Sequence, residues 1–154
     1  MPITKQEVIK RLGADEPKYA ALSKMGPEAV PHLRALIKGD DMGLAAKATY
    51  LASVIQTEEA IEALTDAAMS PHAIIRVAAA AGLGNLSDRR AIPLAERLLE
   101  DNDAGVRKFA VRAASRVGLS TLEPKLRVIA MQDNVQALRR IAESALQSMS
   151  SNGH

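Results

Sequence analysis

The sequence predicts an all-α, right-handed α-solenoid, an α-α superhelix of about five two-helix repeats. Three observations carry this: a period of 31 residues, two helical segments inside each period, and a composition rich in alanine but poor in rings. The first anchor of the period is Val106-Arg107, followed by Ala110 and Ala113-Ala114. Ile75-Arg76 with Ala79 and Gly82-Leu83 stands 31 residues earlier, and Leu44-Ala45 with Ala48 and Leu51-Ala52 stands 31 before that. Leu138-Arg139 with Ala142 and Ala145-Leu146 follows, its spacing stretched by one residue. The second anchor is Ala29-Val30-Pro31, which matches Ala60-Ile61, Ala91-Ile92-Pro93 and Leu122-Glu123-Pro124. Chance similarity between alanine-rich segments would not keep three prolines in phase.

Each unit predicts a first helix, A, over 28–38, 59–69, 90–100 and 121–131, and a second, B, over 41–56, 72–85, 103–117 and 134–148. Pro31, Pro93 and Pro124 fall in the first turn of an A helix, where a missing N–H costs nothing. Asp40-Asp41, Ser70-Pro71 and Asp101-Asn102-Asp103 supply oxygen caps for B helices, while Gly39, Gly84 and Gly118 end helices or turns. The extra residue belongs to the last A–B loop, near Asp133. Residues 1–26 read as a worn first unit, with helices at Thr4–Leu12 and Glu16–Met25, because Tyr19 precedes Tyr50 by 31 residues. The expected organisation is one domain over 1–149, with units 1–26, 27–57, 58–88, 89–119 and 120–149, and a flexible tail at 150–154.

Composition narrows the function classes. Apolar residues make up 47% and charged residues 25%, which suits a folded chain rather than a disordered one. Only Tyr19, Tyr50 and Phe109 are aromatic, so the core must come from thin helices packed closely. The absence of cysteine excludes disulfides, thiolate metal ligands and a thiol nucleophile. Neither an apolar leader nor an apolar run long enough to span a bilayer is present, so a cytoplasmic chain without membrane contact is expected.

The residues Ala91-Ile92-Pro93 through Leu98-Leu99, the acidic loop Asp101–Asp103, Val106-Arg107-x-x-Ala110 and Ile75-Arg76 through Leu83-Gly84 resemble the HEAT repeat family. The likeness is to its short branch named after phycobilisome lyases. It is good over 28–148 and weak over 1–27. It implies B helices on a concave face and a ladder of arginine–aspartate pairs between units. Arg76, Arg107 and Arg139 would be its arginines and Asp101, Asp103 and Asp133 its candidate carboxylates, because a buried guanidinium needs a partner. Ala45 stands where the second unit would carry its arginine.

The same likeness places a partner-binding surface on the B helices, at Met42, Lys47, Tyr50, Ile74, Val77, Lys108, Phe109, Arg112, Arg116, Arg140 and Ile141. An apolar strip with a basic end suits a protein or peptide, so the reading is a non-catalytic interaction scaffold, monomeric and without cofactor or metal. Residues 1–70 hold 8 basic and 10 acidic residues, against 12 and 8 in 71–154, so nucleic-acid binding by the basic C-terminal units is the alternative, with a phycobilin lyase-like subunit as another. Enzymatic readings find little support. His32, His72 and His154 share no spacing, and His32 and His72 precede Leu33 and Ala73 rather than the glutamates that HEAT-like di-iron hydroxylases carry.

Overall fold

The computed structural model describes residues 2–117 and 120–152, apart from the side chains of residues 88, 117 and 152. Gly118 and His154 lie outside the described residues. Ten α-helices follow one another, joined by loops and short 3₁₀ turns: α1 (Lys5–Leu12), α2 (Tyr19–Leu22), α3 (Val30–Ile37), α4 (Met42–Ile55), α5 (Glu58–Ala68), α6 (Ala73–Gly82), α7 (Asp88–Leu99), α8 (Ala104–Val117), α9 (Glu123–Gln132) and α10 (Gln136–Asn152). From α3 onward odd-numbered helices form one row and even-numbered helices the other. The even row packs much more closely along its length than the odd row, so it lies on the inner side of the curve.

The alanine positions explain this asymmetry. Ala48, Ala79, Ala110 and Ala142 are all buried where neighbouring even-row helices meet. A Cβ on Gly82 would lie 2.6 Å from Ser53 Cβ, so α6 approaches α4 at a distance only glycine permits. The larger side chains Leu33, Leu64, Leu98 and Leu126 fill the space between the two rows. Ser53 and Thr49, both fully buried, bond back to the Tyr50 and Ala45 carbonyls of their own helix. Among the described residues no buried side-chain polar atom lacks a partner.

An arginine–aspartate ladder runs along the A–B loop edge. Arg76 Nε and Nη2 donate to Asp101 at 2.9 and 3.2 Å, and Nη1 donates to the Ser70 carbonyl at 2.8 Å. Arg107 repeats the arrangement with Asp133 at 2.8 and 3.1 Å and with the Asp101 carbonyl at 2.9 Å. Arg139 reaches only its own loop, donating to the Asp133 carbonyl. Asp103 takes no arginine in this ladder: its Oδ1 accepts the Val106 amide at 3.0 Å and caps α8. The joint between the second and third units lacks both halves of a rung, since Ala45 and Ser70 occupy the arginine and aspartate positions. That joint is instead tied at its opposite edge. The Gln56 side-chain amide donates to the Asn85 carbonyl and Asn85 Nδ2 donates to Ser53 Oγ at 3.0 Å, while Arg90 of the fourth unit reaches back to Glu58 and to the Gln56 carbonyl.

Several elements differ from the sequence expectation. The second helix of the first unit begins at Tyr19 rather than Glu16 and passes after Leu22 into a 3₁₀ stretch broken at Gly26, whose φ of 69° is left-handed. His32 ties this unit to the next by donating Nε2–H to the Ile3 carbonyl at 2.8 Å. Pro31 and Pro124 sit at helix starts, but α7 begins at Asp88, so Pro93 lies inside the helix beyond its first turn. The exposed side of α7 tolerates it. Residues 150–152 continue α10 instead of forming a tail. The last unit wets its outer side: Glu143, exposed, stands where Val111 and Ala80 are buried in earlier units.

Gly82→Ala should lower stability by about 1–3 kcal/mol through overpacking against Ser53, read by chemical denaturation. Ala45→Arg alone should cost about 3 kcal/mol by burying a lone charge, and adding Ser70→Asp should recover at least about 1 kcal/mol by rebuilding the rung; a double-mutant cycle checks the coupling. Burial opposes ionisation of Asp133, but the Arg107 hydrogen bonds, the Val135 amide and the charges of Arg107 and Arg139 outweigh it and hold the carboxyl below its ordinary 3.8. Its folded value is depressed, so its stabilisation is present above the ordinary value and is lost as pH falls through the depressed one. Asp133→Asn should therefore be less stable at neutral pH and lose less of its stability between about pH 5 and about pH 2 than the parent.

Candidate partner-binding face

The even row carries the surface the sequence singles out, and its two ends differ. At the N-terminal end the first unit folds over α4. Lys47 Nζ donates to the Ala14 carbonyl at 2.9 Å, and Tyr50 meets Tyr19 edge to face with ring centroids 4.7 Å apart. Tyr50 is half-buried, and its partner's hydroxyl is pushed above the ordinary tyrosine value, first by burial and then by the neighbouring Tyr50. The expectation of an exposed Tyr50 is thus corrected: the worn first unit supplies the second ring, and the pair serves packing. Met42 is half-buried against the core.

Toward the C-terminal end the row opens. Ile74 is 50% exposed and Phe109 is 37% exposed, while Val77 and Ile141 are half-buried against the core. Lys108 is half-buried, and Arg112, Arg116 and Arg140 are exposed. None of these four cations has a carboxylate within 4.0 Å among the described residues. A groove of about 290 Å³ runs between α8 and α10, lined by Val111, Arg112, Ser115, Arg116, Ile141, Ser144 and Ala145. The Arg116 guanidinium extends toward the end of α6: a Cβ on Gly84 would lie 3.3 Å from its Nη1. Gly84 therefore does more than end a helix.

The site residues fall into two separate sets. Arg76, Arg107, Arg139, Asp101 and Asp103 lie along the A–B loop edge, with Pro31, Pro93 and Pro124 on the odd row, away from the open stretch of the even row. The sequence argument did not select Val111, Ser115 or Ala145 for the groove. Val111 and Ala145 are buried on the flank of the helix and read as core from their spacing alone. Nor is exposed apolar surface confined to this face: Met69 at the end of α5, and Val128 and Met131 on α9, are also exposed. Among the described residues no group of three His, Asp or Glu side chains is placed to hold a metal. No described helix is long and apolar enough to cross a membrane.

A family model for HEAT repeats matches residues 61–147, more than half of the chain. The chain belongs to the HEAT-repeat family. No curated protein matches the sequence. Among solved structures, the HEAT array is similar to the complex of CpcE and CpcF of phycocyanin lyase from Nostoc sp. PCC7120, with a TM-score of 0.69 and 22% identity, covering 92% of this chain and 96% of that one. It is also similar to human deoxyhypusine hydroxylase, with a TM-score of 0.66 and 21% identity, covering 79% of this chain but only 43% of the hydroxylase. Both neighbours are enzymes or parts of one, and at these identities the likeness is one of fold. The matched HEAT residues include α6, α8 and α10 as far as Gln147, and so the open stretch of the even row.

Proposed function

We propose that this HEAT array is a non-catalytic scaffold that holds a protein partner on the concave face of its even-numbered helices. The observation that carries the reading is the open C-terminal stretch of that face, where Ile74 and Phe109 remain in water although the chain has only three rings. Burying the part of each side chain that is still exposed is worth about 1 kcal/mol, which makes them candidate anchors. Met42, Lys47 and Tyr50 fit the role less well, since their contacts inside the chain already occupy them. The ladder residues are read as structural.

A second reading is a subunit of a two-protein lyase-type complex. It is favoured by the near end-to-end match to the phycocyanin lyase subunits, and it also places a protein on this array. Affinity capture with the tagged chain from its own host, followed by mass spectrometry, identifies the partner. Ile74→Asp and Phe109→Ala should keep the helical circular dichroism of the parent and reduce capture of that partner at least about tenfold, a loss of about 1.4 kcal/mol. Capture unchanged by both substitutions rules out the concave face.

A further inference from the structure

The helices α8 and α10 together carry Arg107, Lys108, Arg112, Arg116, Arg139 and Arg140 against a single carboxylate, Glu143. Two of these cations are committed. Arg107 is held by Asp133, and Arg139 donates to a loop carbonyl. Glu143 pairs with none of them. What is left is a strip of positive charge with no carboxylate within 4.0 Å among the described residues, set beside an apolar groove. Three arginines outside this groove are neutralised across unit boundaries: Arg34 with Asp66, Arg76 with Asp101, and Arg90 with Glu58.

The shape of the strip narrows its ligand. Lys108, Arg112 and Arg116 follow one another at intervals of four on α8 and lie on one helix face, about 6 Å apart in rise. A second helix laid alongside presents carboxylates at the same interval if they too are four residues apart. Between Arg112 and Ile141 the floor is apolar, formed by Val111 and Ala145, with Ser115 and Ser144 beside it. A phosphate backbone does not fill an apolar floor. The cation strip also ends within two units, because Lys47 is tied to Ala14 and Arg76 to Asp101. A duplex needs a longer track of free cations.

We propose that the α8–α10 groove receives an acidic helical segment of a partner protein, with carboxylates four residues apart seated on Arg112 and Arg116 and an apolar side chain entering between Val111 and Ile141. This rests on the concave-face reading above and names the chemistry of its partner. The groove thus selects by charge, and the exposed Ile74 and Phe109 extend the contact along the face.

The test uses the full chain and three fluorescein-labelled synthetic helical peptides of one alanine-based sequence. Each carries a central leucine and two positions four apart that are Glu, Gln or Lys; a 20-base-pair DNA duplex is the competitor. The expected result by fluorescence anisotropy at low salt is that the Glu peptide binds at least tenfold tighter than the Gln peptide. Arg112→Glu with Arg116→Glu, both exposed positions, should remove that preference, keep the parent's circular dichroism and now select the Lys peptide. Ile141→Ser should weaken the Glu and Gln peptides alike. Equal binding of the Glu and Gln peptides, or a preference that survives the double charge reversal, overturns the proposal, as does displacement of the Glu peptide by substoichiometric duplex. If any of these occurs while Ile74→Asp and Phe109→Ala still reduce capture of the native partner, the groove assignment alone falls and the concave-face reading stands.

Discussion

Everything in this protein depends on how closely the even-numbered helices can approach one another. One helix pair cannot bury its apolar stripe alone, so each unit is stable only through its neighbours. The approach is set by small side chains: buried Ala48, Ala79, Ala110 and Ala142, and Gly82 against Ser53. The odd row lacks this tight spacing and splays. The difference between the two rows bends the array and turns the even row into its inner face. Curvature and the poverty of rings thus share one cause. A helix seam built from alanine has no room for large side chains, and the rings that remain sit at its surface or at its first unit.

The edge of the array is governed by charge. Arg76 and Arg107 each satisfy one aspartate of the next unit and the carbonyls of their own loop, one for Arg76 and two for Arg107, so each rung fixes both the joint and the local turn. Asp101 and Asp133 are also turn-formers, each accepting an amide two residues ahead. A guanidinium placed this way is nearly out of water, and only bidentate pairing offsets its desolvation. The second joint, with Ala45 and Ser70 at its ladder positions, gives up both charges of the rung together. Losing one alone would strand a charge, which is why the two absences coincide.

These dependencies explain what could be read from the chain. The period was legible because proline and the Val-Arg pairs mark it independently of alanine content, and it placed the helix pairs of units two to five to within a few residues. The misplacements have physical reasons. Gln56 ends α4 in the left-handed conformation at φ 64°, a position where glycine is expected, and is held by contacts with Asn85 and Arg90 that lie in the following two units. Pro93 reads as a first-turn residue until Ser87 and Asp88 start the helix early. Tyr50 reads as exposed because its register position is exposed in other units, and only the packing of the worn first unit supplies Tyr19 to cover it. The Gln56 and Tyr50 misses involve contacts between units, and a repeat register describes a unit in isolation.

The same distinction separates the two populations of arginine. Register alone assigns Arg107 and Arg112 to adjacent turns of one helix and says nothing of their fates. The structure gives Arg107 a carboxylate from the next unit and leaves Arg112, Arg116 and Arg140 facing water around an apolar groove. An exposed cation without a partner adds little to stability, and several on one face repel one another. The ladder already ties the last two units together, and Glu143 wets the end of the array, so neither joint strength nor capping requires the extra charges. They impose a cost in the free protein, and the proposed carboxylate-bearing partner is one that would relieve it on binding.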